Sequence, residues 1–149
     1  MQLSCYDDRM LDTCTEKLRR YALRETATRK VLLQVLHAAT APLSPPDIVK
    51  RCHAAGRKAN KTTIYRDLSA MEKAGIVHRV IVSDRKQYFE LSERGHHHHL
   101  ICLECDQVED ILLDERDLAQ QEAFLAHQKG FSVFRHSLEF FGLCKMCAE

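Results

Sequence analysis

Two short cysteine motifs and one run of histidines carry most of the chemistry in this 149-residue chain. Cys102-x-x-Cys105 and Cys144-x-x-Cys147 are two thiol pairs with 38 residues (106–143) between them. A CxxC turn directs two sulfurs toward one point, and two such turns supply the four tetrahedral ligands that zinc prefers. The long spacer draws the halves from different elements, so the metal would pin the C-terminal end onto an earlier strand. A redox motif, disulfides and buried free thiols are the competing readings. A redox motif accounts for one pair and not two, and nothing in the sequence suggests a secretory context. Structural Zn2+ on Cys102, Cys105, Cys144 and Cys147 is the expectation. Cys5, Cys14 and Cys52 receive no role from their spacing.

His96–His99 form the second cluster. In a strand, alternate side chains point to opposite faces, so His97 and His99 share one face while His96 and His98 share the other. That predicts two distinct metal sites, with a solvated polyhistidine patch as the alternative. Each site needs further ligands. Glu90, Asp110, Glu115 and Asp117 are the available acids, and His136 is either a ligand or a hydrogen-bonded core histidine. His37, His53 and His127 read as surface or packing residues.

The elements that must position these residues follow from periodicity and capping signals. Leu11, Cys14, Leu18 and Tyr21 mark a first helix, and Val31, Leu32, Val35, Leu36 and Ala39 a second. Ser44-Pro45-Pro46-Asp47 opens a third, with a capping serine, proline in the first turn and an acid three residues on. A fourth runs from about Lys61 to Ala74, burying Ile64, Leu68 and Met71 and stopping at Gly75. Two β-rich runs follow, Ile76–Val82 and Gln87–Leu91, around the turn Ser83-Asp84-Arg85-Lys86. Helices followed by a hairpin make a winged helix-turn-helix.

Beyond Ser92–Gly95, strands are expected over His96–Cys102 and Val108–Leu112. A helix is expected over Asp114–Gln128 with Asp114 as its cap, then a returning strand over Ser132–Phe141. The fold class expected is α+β. An N-terminal winged helix-turn-helix (1–91) leads through a hinge (92–95) into a small α/β dimerisation and metal-binding domain (96–149) with the four-cysteine zinc site. A second domain this small needs a staple or a partner subunit.

Charge divides the same way. Residues 1–95 hold 18 Lys/Arg against 11 Asp/Glu, and residues 96–149 hold 4 against 10 with six of the nine histidines. A basic half beside an acidic, ligand-rich half fits a polyanion-binding module joined to a cation-binding one. In the fourth helix Lys61, Thr62, Thr63, Tyr65 and Arg66 remain once the apolar face is buried, a set suited to phosphate and major-groove contacts. Arg24, Arg29 and Lys30 add cations near the second helix, and Asp84-Arg85-Lys86 offers a wing. No apolar run approaches a membrane span and the first residues lack a signal-peptide core, so a cytoplasmic protein without membrane contact is expected.

Together these residues resemble the ferric uptake regulator (Fur) family. The resemblance rests on Thr62-Thr63-Ile64-Tyr65-Arg66-Asp67-Leu68, Tyr88-Phe89-Glu90-Leu91, His96-His97-His98-His99-Leu100-Ile101-Cys102, His136-Ser137-Leu138 and Gly142-x-Cys144. It implies a homodimer that binds double-stranded operator DNA when a regulatory divalent cation (Fe2+, Zn2+ or Mn2+) is loaded. Tyr65 and Arg66 would contact DNA, with Arg24 near the minor groove. Glu90, His97, His99 and Asp110 match the family's hinge sensor site, and His96, His98, Asp117 and His136 its second site. One departure stands out: where iron-sensing members carry a histidine ligand before the third helix, this chain has Pro42, and His78 is the candidate replacement. A zinc hydrolase using the histidine cluster, or a metal buffer without DNA control, are the rival functions.

Overall fold

The computed structural model describes residues 8–83, 86–134 and 136–148. The chain divides into two compact units, Met1–Gly95 and His96–Glu149. Ser92–Gly95, expected as a hinge, falls in the first unit, where the Ser92 N–H donates to the Ile76 carbonyl at 2.9 Å.

The first unit runs α1 (Asp8–Arg20), α2 (Ala27–His37), α3 (Pro45–Ala54), α4 (Lys61–Lys73), β1 (Val77–Ser83) and β2 (Lys86–Leu91). Side-chain caps start three of the helices. Thr26 accepts from the Arg29 N–H, Ser44 from Asp47 and Asn60 from Thr63, each satisfying a donor that the first turn leaves without a partner. Gly75, at φ +78°, takes the left-handed turn that ends α4 and starts the hairpin. Leu18, Leu32, Leu36, Ile48, Ile64, Leu68 and Met71 are buried at the centre. Each contributes about 1.5–3 kcal/mol by leaving water. Strands β1 and β2 pair antiparallel, and Leu43 exchanges both backbone hydrogen bonds with Phe89. This is a winged helix. Tyr21, expected on the buried stripe of α1, lies past the helix end and is exposed. Asp84 and Arg85 of the expected wing, Cys5, and the Leu11 side chain lie outside the described residues.

The second unit holds β3 (His98–Cys102), β4 (Val108–Ile111), α5 (Arg116–Lys129) and β5 (Glu139–Gly142). Its sheet has the order β4-β3-β5, antiparallel on one side of β3 and parallel on the other. The fold is thus α+β, as the sequence predicts. Boundaries differ from those expected: β3 begins at His98, so His96 and His97 of the expected strand precede it. β5 covers only the end of the expected returning strand, because its partner β3 is itself short. Glu115 stands at the cap position of α5 without a capping hydrogen bond, while Asp114 accepts the backbone N–H of Arg116, the first residue of the helix, at 3.2 Å and also pairs with the Arg116 guanidinium. α5 buries no residue within this chain, while Phe131, Phe134, Phe141 and Leu143 are exposed. Among the described residues no helix is long and apolar enough to cross a membrane.

Candidate metal centres and nucleic-acid interface

The cysteine centre is assembled by the sheet. Parallel pairing sets Cys102, the last residue of β3, beside Gly142, the last of β5, so both CxxC turns leave the sheet at one end. After Cys102 the chain turns through Asp106 at φ 60°, and Cys102 and Gln107 are joined by a backbone hydrogen bond of 2.9 Å. The second turn closes with the Cys147 N–H donating to the Cys144 carbonyl at 3.0 Å. One sulfur from each of Cys102, Cys105, Cys144 and Cys147 lies within 4.8 Å of all the others. Cys105 and Cys144 have their Sγ atoms 3.8 Å apart. A tetrahedron with zinc–sulfur bonds of about 2.3 Å has edges of about 3.8 Å, so the donors fit zinc.

The local field helps. Backbone N–H groups of Cys105 and Cys144 stabilise the Cys102 thiolate and bring its pKa down to about 6. Cys144 donates that bond at 3.3 Å. Sharing protons with Cys144 and Cys105 pushes Cys147 up to about 12, the behaviour of thiols crowded at one point. Cys52, by contrast, is pushed up to about 11 by burial alone and sits with Cys14 in the first unit's core. Such thiols are inert packing residues.

The histidine run, whose last two members open β3, divides into two groups. His96, His98 and His136 gather around Glu115. The Glu115 carboxylate stands 2.8 Å from His96 Nε2 and 3.6 Å from His136 Nε2, and it binds His98 directly. Burial works to raise the Glu115 pKa. The His98 hydrogen bond and the charges of His96, His98 and His136 overcome it and hold the group below the ordinary carboxylate value. Glu122 fixes the far ring nitrogen of His136 at 2.7 Å, the outer carboxylate that metal-binding histidines commonly carry. His97 and His99 turn the other way, with ring centroids 4.9 Å apart. Asp110, the register partner of His99, lies 3.8 Å from His99 Nε2 and 3.9 Å from His97 Nε2.

In the first unit His78 and Glu90 are cross-strand partners, with Nε2 2.7 Å from Oε1. Glu90 is 2% exposed. In the first two turns of α4 the exposed residues are Lys61, Thr62, Tyr65 and Arg66, while Thr63 is half-buried beside the Asn60 cap. Arg24 is exposed, and its carbonyl accepts from Arg29 at 2.9 Å.

The ferric uptake regulator family profile matches residues 20–141. The chain belongs to this family. A ferric uptake regulation protein of Klebsiella pneumoniae is 35% identical over 128 residues, 85% of this chain and 81% of that one. The Vibrio cholerae ferric uptake regulator, described for rearrangement of its DNA-binding domains, superposes with a TM-score of 0.76 at 30% identity, covering 87% of this chain and 98% of that one. The Pseudomonas aeruginosa ferric uptake regulator with manganese gives 0.76 at 28% identity, covering 89% and 98%.

Within this Fur frame several sequence expectations are redrawn. Asp117 stands in the first turn of α5 but is not in the group around His96, His98 and His136; Glu115 holds that place. Glu122 was not anticipated, although it lies seven residues after Glu115 and so on the same helical face. Arg29 and Lys30 are not free cations for a polyanion. Arg29 pairs with buried Asp67 at 3.1 Å and Lys30 with Glu25 at 3.2 Å. Pro42 is buried next to the Leu43–Phe89 bridge and offers no donor side chain.

Proposed function

We propose that this Fur-family chain is a metal-responsive transcriptional repressor that binds double-stranded operator DNA as a homodimer when a regulatory divalent cation is loaded. The observation that carries the reading is the histidine run. It sorts His97 and His99 to one face with Asp110, and His96 and His98 to the other with Glu115 and His136. Imidazole and carboxylate donors of this kind accept Fe2+, Mn2+ and Zn2+. The regulatory site of this reading takes Glu90, His97, His99 and Asp110 as its donors, completed by His78. Loading it then selects one arrangement of the two winged helices in a dimer, by differential affinity for that arrangement.

Tyr65, Arg66, Thr62 and Thr63 at the start of α4, with Arg24, form the proposed DNA contact. Exposed hydroxyls, a phenol and cations at a helix N-terminus suit phosphates and base edges. The homodimer is supported by the apolar surface of the second unit, where α5 buries nothing and Phe134 is 95% exposed. Working on operator DNA places the protein in the cytoplasm.

The test is DNA retention by tag-free protein with Fe2+, Mn2+ and Zn2+ in turn, using fragments from its own upstream region. Metal-dependent, saturable retention is the expected result. Metal binding that leaves DNA affinity unchanged would make the chain a buffer instead.

A further inference from the structure

Glu90 is 2% exposed, and a carboxylate buried to that degree is strongly destabilising unless a cation neutralises it. Arg94 supplies one. Its Nη1 donates to Glu90 Oε2 at 2.8 Å, and its Nη2 donates to the Thr40 carbonyl at 2.9 Å. A single guanidinium therefore ties the end of β2 to the segment just before Pro42. The other carboxylate oxygen, Oε1, faces His78 Nε2 at 2.7 Å.

We propose that Arg94 is a positioning residue that serves as the resident counter-cation of Glu90 and sets the concentration at which the regulatory divalent metal loads. The inference rests on Glu90 being a ligand of that metal. Two physical effects act in the same direction. A guanidinium keeps its positive charge at any working pH, so it opposes a dication seeking the same carboxylate. It also occupies Oε2, which leaves Oε1 beside His78 as the donor and disfavours a two-oxygen grip. Without metal, Arg94 keeps the buried carboxylate compensated and the first unit folded. An ordinary supporting residue would weaken metal binding when removed; a resident competitor strengthens it.

The decisive measurement is calorimetric titration of the full-length, zinc-stapled chain with manganese(II) alone, a metal that prefers oxygen and nitrogen donors to thiolates. Glu90→Gln identifies the binding component that depends on this carboxylate. Arg94→Gln should tighten that component by about tenfold, a scale on which outer residues move metal affinity. It should also lower the melting temperature of the manganese-free protein. Arg94→Lys keeps the charge but loses the two-armed grip, and should tighten the component by about threefold. If Arg94→Gln does not yield folded protein, the lysine variant alone decides. An unchanged or weakened component in the Arg94 variants overturns the inference while leaving Glu90 as a ligand. A manganese isotherm that Glu90→Gln does not alter overturns the sensor reading, and the inference with it.

Discussion

The backbone N–H of Cys144 donates to the Cys102 sulfur at 3.3 Å, reaching across 42 positions of sequence. One end of β3 and the start of the last turn are thereby joined before any metal is considered. The four sulfurs share a volume of zinc dimensions, so binding there contributes folding energy to a unit with few buried residues of its own.

Replacing Cys144 or Cys102 with Ser should release the zinc and cost the second unit several kcal/mol, about the whole stability of a domain this small. Metal analysis and thermal melting followed by circular dichroism check this. A Cys144→Ser protein with unchanged zinc content and melting curve would refute the assignment.

Tyr65→Ala and Arg66→Ala should each weaken operator binding by about 1–3 kcal/mol while metal content stays intact. Wild-type affinity should fall steeply with salt, since phosphate contacts release counterions. Fluorescence anisotropy over a salt series measures both effects. Unaltered affinity and base preference in the two variants would put the reading surface elsewhere.

Arg29→Met should destabilise the first unit by about 3 kcal/mol, because it strands the buried Asp67 carboxylate without its 3.1 Å partner. The same change frees the Arg24 carbonyl that Arg29 holds. Urea unfolding gives the stability term. A loss no larger than that of an ordinary surface substitution would show that Asp67 finds compensation elsewhere.

Glu115→Gln should weaken metal binding at the His96–His98–His136 group by about tenfold or more, and Asp117→Asn should leave it unchanged. Titration with cobalt(II), read by its visible absorption, distinguishes the two. Equal effects would mean that the acid is chosen only when metal binds.

His78→Ala should lower the affinity for the activating metal by about tenfold or more. The four-cysteine zinc should be untouched, and excess metal should partly restore DNA binding. Calorimetry beside a DNA titration decides: an intact metal isotherm with weakened DNA binding would make His78 a wing contact.

Much of this was legible in sequence because local rules agreed with one another. Ser44 with Pro45 and Asp47 specify a helix start by capping chemistry alone, and the opposite facing of His98 and His99 follows from the two-residue period of a strand. The paired CxxC spacing survives any detail of the intervening chain. What escaped depends on direction in space. Spacing offers Glu115 and Asp117 equally at the start of α5, and only the path of the chain into that helix decides which carboxylate meets the imidazoles. Arg29 and Lys30 counted as available charge because Asp67 and Glu25, their partners, are set by packing and turn geometry. Arg94 drew no notice because its two acceptors, Glu90 and the Thr40 carbonyl, lie on different elements.

Four identical residues in a row carry no information about where a strand should stop sliding. A shift of β3 by two residues would keep every imidazole on its own face while handing each to the wrong neighbours. Cys102, set beside Gly142 and bound by the Cys144 amide, has no equivalent two residues away. The thiolate centre thus acts as a phase reference for the histidines: it sets how far along the chain direction they stand, so that His99 falls opposite Asp110. Stripping its zinc should therefore scramble metal recognition at both histidine faces, even in molecules that stay folded.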